Sequence, residues 1–163
     1  MHARTVATKH GPITIRPLRS GDTATVQTVF ARLGEQSRRL RFGGAKQILT
    51  ADELERLARV DDRHEVLVAY SESGPVGIAH LVRDDHGASA EIAWAVADAW
   101  QRLGIGTAFA RLLSADAAAA GITELRATMH VENRASFSLM RKATRIVSRC
   151  IEGGELHVVG LTG

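Results

Sequence analysis

Residues 90–120 read AEIAWAVADAWQRLGIGTAFARLLSADAAAA, and the organisation of the whole chain can be worked out from this segment. Ile92, Trp94 and Val96 alternate with small or acidic residues, which is the period-two pattern of a β-strand. From residue 105 to residue 113 the apolar residues recur at helical spacing instead, and Gly121 is a suitable position for the helix to end. The segment therefore predicts a strand, a glycine-containing turn and a helix.

The turn between this strand and this helix contains Gly104 and Gly106. The start of a helix leaves backbone N–H groups unpaired and carries a partial positive charge, and glycine lets an anion approach the backbone closely. A dinucleotide-binding loop would need a third glycine where Phe109 stands, and the Gly-Lys-Ser/Thr triplet of a Walker loop does not occur in the sequence. The turn therefore predicts a phosphate site of another kind.

The hexapeptide Gln101-Arg-Leu-Gly-Ile-Gly106 resembles the signature of the GNAT N-acetyltransferase superfamily, Gln/Arg-x-x-Gly-x-Gly/Ala between a strand and a helix. The resemblance implies that this loop grips the pyrophosphate of an acyl-coenzyme A, with acetyl-CoA as the co-substrate. It also implies that two strands of the sheet splay apart and that freed backbone groups pair with the pantetheine arm, with the N–H of Val96 polarising the thioester carbonyl. The cofactor-binding residues implied in this way are Trp94, Ala95, Val96, Gln101, Arg102, Leu103, Gly104, Ile105, Gly106, Thr107 and Asn133.

The remaining sequence extends this pattern in both directions. The predicted order of elements is β-α-α-β-β-β-α-β-α-β-β, which is the order of the GNAT fold. The resemblance therefore implies an α+β fold with a central mixed, mostly antiparallel, splayed sheet of six to seven strands and about four helices. We expect residues 1–11 to form a flexible tail and residues 12–163 to form a single acetyltransferase domain.

Capping residues in the sequence predict where two of the helices begin. Ser20 or Asp22 can cap the first helix, and Thr50 with Glu53 three residues later forms a capping box before a short helix. The arginine-rich segment 37–44 is interpreted as a loop that ends in two glycines.

Transfer of an acyl group to an amine requires that the amine lose a proton, because a lysine-type ammonium has a pKa of about 10.4. Glu91 is the candidate general base, since it lies on the strand that leads into the glycine-containing turn. Ala90-Glu91-Ile92 also resembles the corresponding segment of protein-lysine acetyltransferases, in which a glutamate on the fourth strand activates lysine, often through water. A solvated carboxylate or an ion-pair partner is the alternative interpretation of Glu91.

One position departs from the family pattern. Many GNAT enzymes have a tyrosine seven residues after the asparagine, where it protonates the leaving thiolate, but here that residue is Met140. The sequence therefore leaves open whether a general acid exists. It also leaves open a degenerate member of the family that binds acyl-CoA as a sensor without turnover. Cys150 lacks His and Asp support for a nucleophile and is predicted to be a small core residue.

The arginine-rich segment 37–44 bears on the identity of the acceptor, because in this superfamily the corresponding segment covers the acceptor site. Its sequence Ser-Arg-Arg-Leu-Arg-Phe resembles the corresponding segment of bacterial Pat-type protein lysine acetyltransferases and implies Arg38, Arg41 and Phe42 as substrate-binding residues. A protein lysine is accordingly the leading acceptor. A small-molecule amine, such as a polyamine, an amino acid or an aminoglycoside, is the alternative.

Composition excludes several other classes of protein. The 163 residues carry 21 Lys and Arg against 18 Asp and Glu, and only 4% are aromatic, which disfavours a nucleic-acid partner. The sequence contains neither an apolar run near the roughly 20 residues of a membrane span nor the apolar core of a secretory signal. The single Cys150 excludes an internal disulfide. We therefore expect a cytoplasmic protein without a metal site, and its oligomeric state, a homodimer included, stays open.

Overall fold

The computed structural model describes residues 3–44 and 46–163. In chain order the elements are β1 (Arg4–Thr8), β2 (Gly11–Pro17), α1 (Thr23–Ala31), α2 (Glu35–Phe42), α3 (Ala51–Leu57), β3 (His64–Ser71), β4 (Gly74–Arg83), β5 (Ser89–Val96), α4 (Ile105–Ala119), β6 (Glu124–His130), α5 (Arg134–Ala143), β7 (Arg145–Glu152) and β8 (Glu155–Leu161). A short 3₁₀ turn, Asp98–Trp100, lies between β5 and α4.

In the described residues, the eight strands form one sheet in the order β1-β2-β3-β4-β5-β6-β8-β7. The pair β5 and β6 is parallel, and the other adjacent pairs are antiparallel. This is the mixed, mostly antiparallel sheet that the sequence predicts. It has one strand more than the six to seven expected, and five α-helices are found in the described residues instead of about four.

The additional strand lies where a flexible tail was expected. Arg4–Thr8 pairs with β2 from Arg4 opposite Ile15 to Thr8 opposite Gly11, and the Thr8 hydroxyl donates to the Gly11 carbonyl oxygen at 2.7 Å. Most of β1 is exposed, so the strand is held by its backbone ladder and has little apolar pattern that could have revealed it. Residues 1 and 2, which belong to the expected tail, lie outside the described residues.

Apolar side chains fill both faces of the sheet. Helix α4 packs on one face through Ile105, Phe109, Leu113 and Ala117, which are at most 1% exposed and recur every four residues as predicted. Helix α1 covers the other face with Val26, Val29 and Phe30. Burial of each of the larger side chains contributes about 1.5 to 3 kcal/mol, so these two helices are fixed firmly on the sheet.

The predicted helix starts are found at both marked positions. Asp22 caps α1 by accepting the Thr25 N–H at 3.0 Å, and Thr50 with Glu53 forms the capping box of α3. The interpretation of the arginine-rich segment as a loop is wrong, because residues 35–42 form α2. Glu35 in its first turn and arginines in its last turn complement the helix dipole, and Gly43 ends it in the left-handed conformation.

Cys150 lies on β7, at the edge of the sheet, and is exposed instead of belonging to the core as predicted. Among the residues that the structure describes, no helix has both the length and the apolar character that a membrane crossing requires.

Candidate active site

A gap opens between β5 and β6. The two strands pair only from Ser89 opposite Glu124 to Glu91 opposite Arg126. Beyond Glu91, β5 continues to Val96 and β6 continues to His130 without further pairing to one another. The splay that the sequence predicts is therefore present, and it begins at Glu91.

The register shows which backbone groups face this gap. The Ala97 N–H donates to the Val76 carbonyl oxygen on the β4 side at 2.8 Å. Because backbone groups of a strand alternate in direction, the N–H of Ala95 also points to β4, whereas those of Trp94 and Val96 point into the gap. The Val96 carbonyl oxygen accepts a hydrogen bond from Gln101 Nε2 at 3.0 Å on that side. Of the three predicted backbone contacts, the geometry thus brings Trp94 and Val96 to the gap and turns Ala95 away from it.

The turn that follows β5 has an unusual backbone. Arg102 has φ of 61°, which makes it the one non-glycine residue with positive φ among the described residues, and Gly104 has φ of 89° at the start of α4. In the described part of the chain, the N–H groups of residues 102–107 donate to no protein acceptor. Such a row of free amides at a helix start is suited to a diphosphate.

Glycine is needed at the two positions of the turn for different physical reasons. Gly104 adopts a left-handed conformation that an L-residue adopts only with strain. Gly106 is instead a packing position, since a Cβ there would lie 2.8 Å from Cδ1 of Leu139 on α5. The first glycine shapes the turn and the second lets α4 and α5 approach closely.

These features border a cleft of about 480 Å³. The predicted residues that line it are Arg41, Trp94, Ala95, Val96, Gln101, Arg102, Gly104, Gly106, Thr107 and Asn133. The other predicted residues, which do not line it, are Arg38, Phe42, Glu91, Leu103 and Ile105; Ile105 is buried in the core. A cleft of this size lies within the range of ligand sites in proteins.

Sequence reasoning missed much of the wall that α5 provides. Ser136, Ser138 and Lys142 project from this helix into the cleft beside Leu139. Ser138 and Lys142 lie on the side of α5 opposite the buried Met140, an amphipathic signal that could have indicated this face. Trp100 and α2 residues Ser37 and Leu40 complete the lining, together with Leu33 and Ala135.

Asn133 caps α5, because its Oδ1 accepts the Ser136 N–H at 3.1 Å, and it also lines the cleft. Asparagine is one of the preferred residues at a helix start, and here it satisfies a backbone N–H of the first turn. Its position leaves the amide nitrogen available to a ligand in the cleft.

Glu91 lies at the apex of the splay and is exposed. Its side chain shares a face of β5 with Ala93 and Ala95, the face that α2 covers. Within the described residues it makes no ion pair, whereas its neighbour on β6, Arg126, is paired with Asp84 and Glu124. Glu91 thus offers an unpaired carboxylate at the point where the gap opens.

Helix α2 bridges the gap. On the β5 side, the Asp98 carboxylate accepts the Gly34 N–H at 3.1 Å and the Ser37 hydroxyl at 2.7 Å. On the β6 side, Arg39 donates to Glu132 at 2.6 Å. Contacts at both ends hold the helix over the opening, although each surface ion pair contributes only about 0 to 1 kcal/mol.

The three substrate-binding residues predicted on α2 separate in the structure. Phe42 packs edge-to-face on Phe30 with ring centroids 5.4 Å apart, and Arg38 lies over the same ring, 4.4 Å from its centroid. Arg41 alone of the three lines the cleft, and burial lowers the pKa of its guanidinium while the Glu91 charge raises it.

A small apolar cavity of about 20 Å³ lies beneath the Arg41 side chain. His80 on β4 borders it, and burial together with the Arg41 charge lowers the pKa of His80 to about 4. The imidazole Nε2 donates to the Leu57 carbonyl oxygen at 2.9 Å, and Nδ1 is buried without a partner in the described residues. The lowered pKa keeps His80 neutral near pH 7, so it adds no second positive charge beside Arg41.

Met140 is fully buried and packs in the core, so the residue at the usual tyrosine position does not reach the cleft. Tyr70, the one tyrosine of the sequence, lies on β3 with Arg16 4.2 Å from its ring centroid. Among residues 3–44 and 46–163, no group of three or more His, Cys, Asp or Glu is arranged to hold a metal ion.

Comparison with known proteins agrees with this geometry. The family model of the GNAT acetyltransferase domain matches residues 13–144. No curated protein matches the sequence. Among solved structures, the GNAT domain of S. lividans PAT is 20% identical with a TM-score of 0.85, and the match covers 98% of this chain and 96% of that one.

Two further structures share the fold. RimL, a ribosomal L7/L12 α-N-protein acetyltransferase solved with coenzyme A, is 10% identical with a TM-score of 0.75, covering 98% of each chain. A cAMP-binding acyltransferase from Mycobacterium smegmatis is 25% identical with a TM-score of 0.67, covering 99% of this chain and 47% of that one, so this chain spans about half its length. By its family match and its fold, the chain belongs to the GNAT acetyltransferases, acyl-CoA-dependent N-acetyltransferases that use acetyl-CoA as co-substrate.

Proposed function

We propose that this enzyme acetylates the side-chain amine of a protein lysine by direct transfer, with Glu91 as the general base. The observation that carries the proposal is the unpaired, exposed carboxylate of Glu91 at the last paired residue of β5, where the gap opens under α2. An amine that enters from this face meets a proton acceptor before it reaches the gap.

Acetyl-CoA supplies an acetyl thioester, whose carbonyl carbon the acceptor nitrogen attacks while coenzyme A leaves as the thiol. The free N–H groups of residues 102–107 would hold the diphosphate. The N–H of Val96, which points into the gap, would donate to the carbonyl oxygen as negative charge develops there. Glu91 would accept the proton of the acceptor ammonium, directly or through one water, and so keep the nitrogen neutral for attack.

No tyrosine is needed to complete this scheme. Met140 lies in the core, so in this scheme water would supply the proton to the departing thiolate. A thiol has a pKa of about 8.5, which makes its thiolate a good leaving group near neutral pH.

The acceptor is proposed from the charge and sequence of α2. Arg38, Arg39 and Arg41 lie on α2, the helix over the gap, and would repel a polycation such as a polyamine or an aminoglycoside more than a single lysine on a protein surface. The resemblance of residues 37–42 to Pat-type lysine acetyltransferases supports the same choice.

The test is acetyl transfer to a lysine peptide by wild type and by Glu91→Gln, with product measured by mass spectrometry. Removal of a general base lowers a rate by about 10²- to 10⁴-fold, so we expect kcat to fall at least 100-fold while calorimetry gives an acetyl-CoA Kd within about twofold of wild type. Glu72→Gln, which removes a carboxylate from the exposed β3–β4 turn, is the matched control. An unchanged rate in Glu91→Gln would remove Glu91 as the base.

The acceptor is tested separately with a panel at equal concentration: the lysine peptide, spermidine, free lysine and an aminoglycoside. We expect the peptide to have the highest kcat/KM. A higher value for any small amine would overturn the protein acceptor and leave the role of Glu91 standing.

A further inference from the structure

Arg41 differs from the other arginines of α2 in its surroundings. Its side chain is half-buried and lines both the large cleft and the small apolar cavity beneath it. Arg38 donates to the Gln47 carbonyl oxygen and Arg39 is paired with Glu132, but Arg41 makes no hydrogen bond or ion pair with any described residue. A guanidinium therefore lies in the wall of the cleft without a protein acceptor.

The cost of this arrangement requires an explanation. The Arg41 guanidinium lines the open cleft, while the apolar surface on its other side withdraws it in part from water, and this costs free energy unless the charge is paired. The walls around Arg41 are apolar, namely Phe30, Leu33, Phe42, Ile78 and Ala95, and the guanidinium carbon lies 5.1 Å from the Phe42 ring centroid. Glu91 is the carboxylate whose charge acts on Arg41, yet the two form no ion pair. The positive charge of Arg41 is therefore available to pair with a group that enters the cleft.

We propose that Arg41 is the receptor for a carboxylate of a substrate, a proposal that rests on the proposed acyl transfer at Glu91. The planar fork of a guanidinium binds a carboxylate through two parallel hydrogen bonds, and apolar walls strengthen such a pair. Ala95 lines the cavity beside Arg41, and with Trp94 and Val96 it also lines the cleft. A carboxylate bound to Arg41 would therefore lie close to the reacting acyl group.

The carboxylate has two sources. It is the far end of a dicarboxylic acyl group such as succinyl on coenzyme A, or it is an aspartate or glutamate beside the acceptor lysine. In the first case the acceptor nitrogen forms a bond to the thioester carbon of succinyl-CoA, the carbon–sulfur bond breaks, coenzyme A leaves as the thiol and the ammonium proton passes to Glu91. The second carboxylate stays intact and bound to Arg41.

Two paired comparisons distinguish the sources. The donor arm measures kcat/KM for succinyl-CoA and for butyryl-CoA, its neutral counterpart, with one lysine peptide. The acceptor arm measures kcat/KM with acetyl-CoA for a lysine peptide flanked by aspartates and for the same peptide flanked by asparagines. Each arm is repeated with Arg41→Gln, with Arg41→Lys and with Arg111→Gln, which removes a charge from the exposed surface of α4.

We expect wild type to prefer the carboxylate member of one pair by about 10- to 100-fold, the range of a charge-assisted hydrogen bond. Arg41→Gln should abolish this preference, Arg41→Lys should keep a reduced one, and Arg111→Gln should keep all of it. Circular dichroism of each variant checks folding, and Arg41→Lys retains the charge if the glutamine variant does not fold.

The proposal is overturned if wild type prefers the carboxylate member of neither pair, or if Arg41→Gln keeps the preference. Calorimetric Kd values for both members of each pair are measured in parallel, since they need no turnover. Lysine acetylation without any carboxylate preference would refute the role of Arg41 and leave the proposed function standing. A carboxylate preference in binding that Arg41→Gln removes, without transfer to any amine, would refute the proposed function and leave the role of Arg41 standing.

Discussion

Replacement of Gly104 by alanine tests whether the turn before α4 holds the diphosphate through its backbone. Gly104 has φ of 89°, and no atom lies within 4 Å of the position that a Cβ would take. The substitution therefore introduces no clash within the protein. Its effects come from the backbone conformation and from whatever occupies the cleft.

The magnitude follows from two opposing terms. An L-residue in the left-handed conformation costs about 1 to 2 kcal/mol, and the loss of glycine flexibility in the unfolded chain returns about 0.4 to 1 kcal/mol. We expect the free energy of unfolding to fall by about 1 kcal/mol, equivalent to a Tm lowered by about 3 °C for a domain of this size. If the strained turn also loses one N–H bond to the diphosphate, the Kd for acetyl-CoA should rise about tenfold or more.

Gly121→Ala provides a matched control at the other end of the same helix. Gly121 has φ of 78° and likewise has no atom within 4 Å of the added Cβ, but it does not line the cleft. Both variants should lose a similar amount of stability by thermal unfolding, and only Gly104→Ala should weaken acetyl-CoA binding by calorimetry. Wild-type affinity in Gly104→Ala, or equal weakening in both variants, would refute the role of the turn.

Two further predictions concern groups outside the turn. Burial and the nearby Asp116 carboxylate raise the pKa of Glu65 from 4.5 to about 7. The folded chain then binds more protons than the unfolded chain between these pH values, so stability falls as the pH rises through this window. Glu65→Gln should remove this dependence and raise stability at pH 8 by about 1 kcal/mol, a value reduced from the full shift because the carboxyl is partly solvated; an unchanged pH profile of Tm would contradict it. Asp98→Ala removes the acceptor for Gly34 and Ser37, so amide hydrogen exchange in residues 35–42 should accelerate about tenfold while β4 and β5 are unaffected; unchanged exchange in α2 would show that other contacts hold it.

The sequence predicted those parts of the fold that have a strong local signal. The helical repeat of Ile105, Phe109 and Leu113 and the capping box at Thr50 each arise within a few residues, and both are found. Strand β1 was missed because its exposed side chains carry little apolar pattern and its stability comes from pairing with β2. Helix α2 was missed because no residue of it is fully buried, so its helical face has no core pattern to reveal it.

The candidate site divides in the same way. The loop around Gly104 could be found because its glycine spacing is local, and Asn133 because a strand ends just before it. Ser138 and Lys142 line the cleft because of the way α4 and α5 pack. That packing depends on the absence of a side chain at Gly106, where Leu139 approaches. The isolation of Arg41 from its neighbours is a tertiary property that no spacing in the sequence encodes.

The difference between local sequence signals and tertiary contacts also explains why the co-substrate could be predicted and the acceptor could not. The groups suited to acetyl-CoA are mostly backbone amides, those of residues 102–107 and of Trp94 and Val96, and many sequences can supply them if the turn and the splay are kept. Structures only 10 to 20% identical to this chain accordingly share its fold with TM-scores of 0.75 and 0.85. In the proposed mechanism the acceptor instead meets side chains, foremost Glu91, and a single substitution there changes charge and shape without disturbing the fold. Acceptor choice is therefore free to differ between enzymes that bind the same co-substrate.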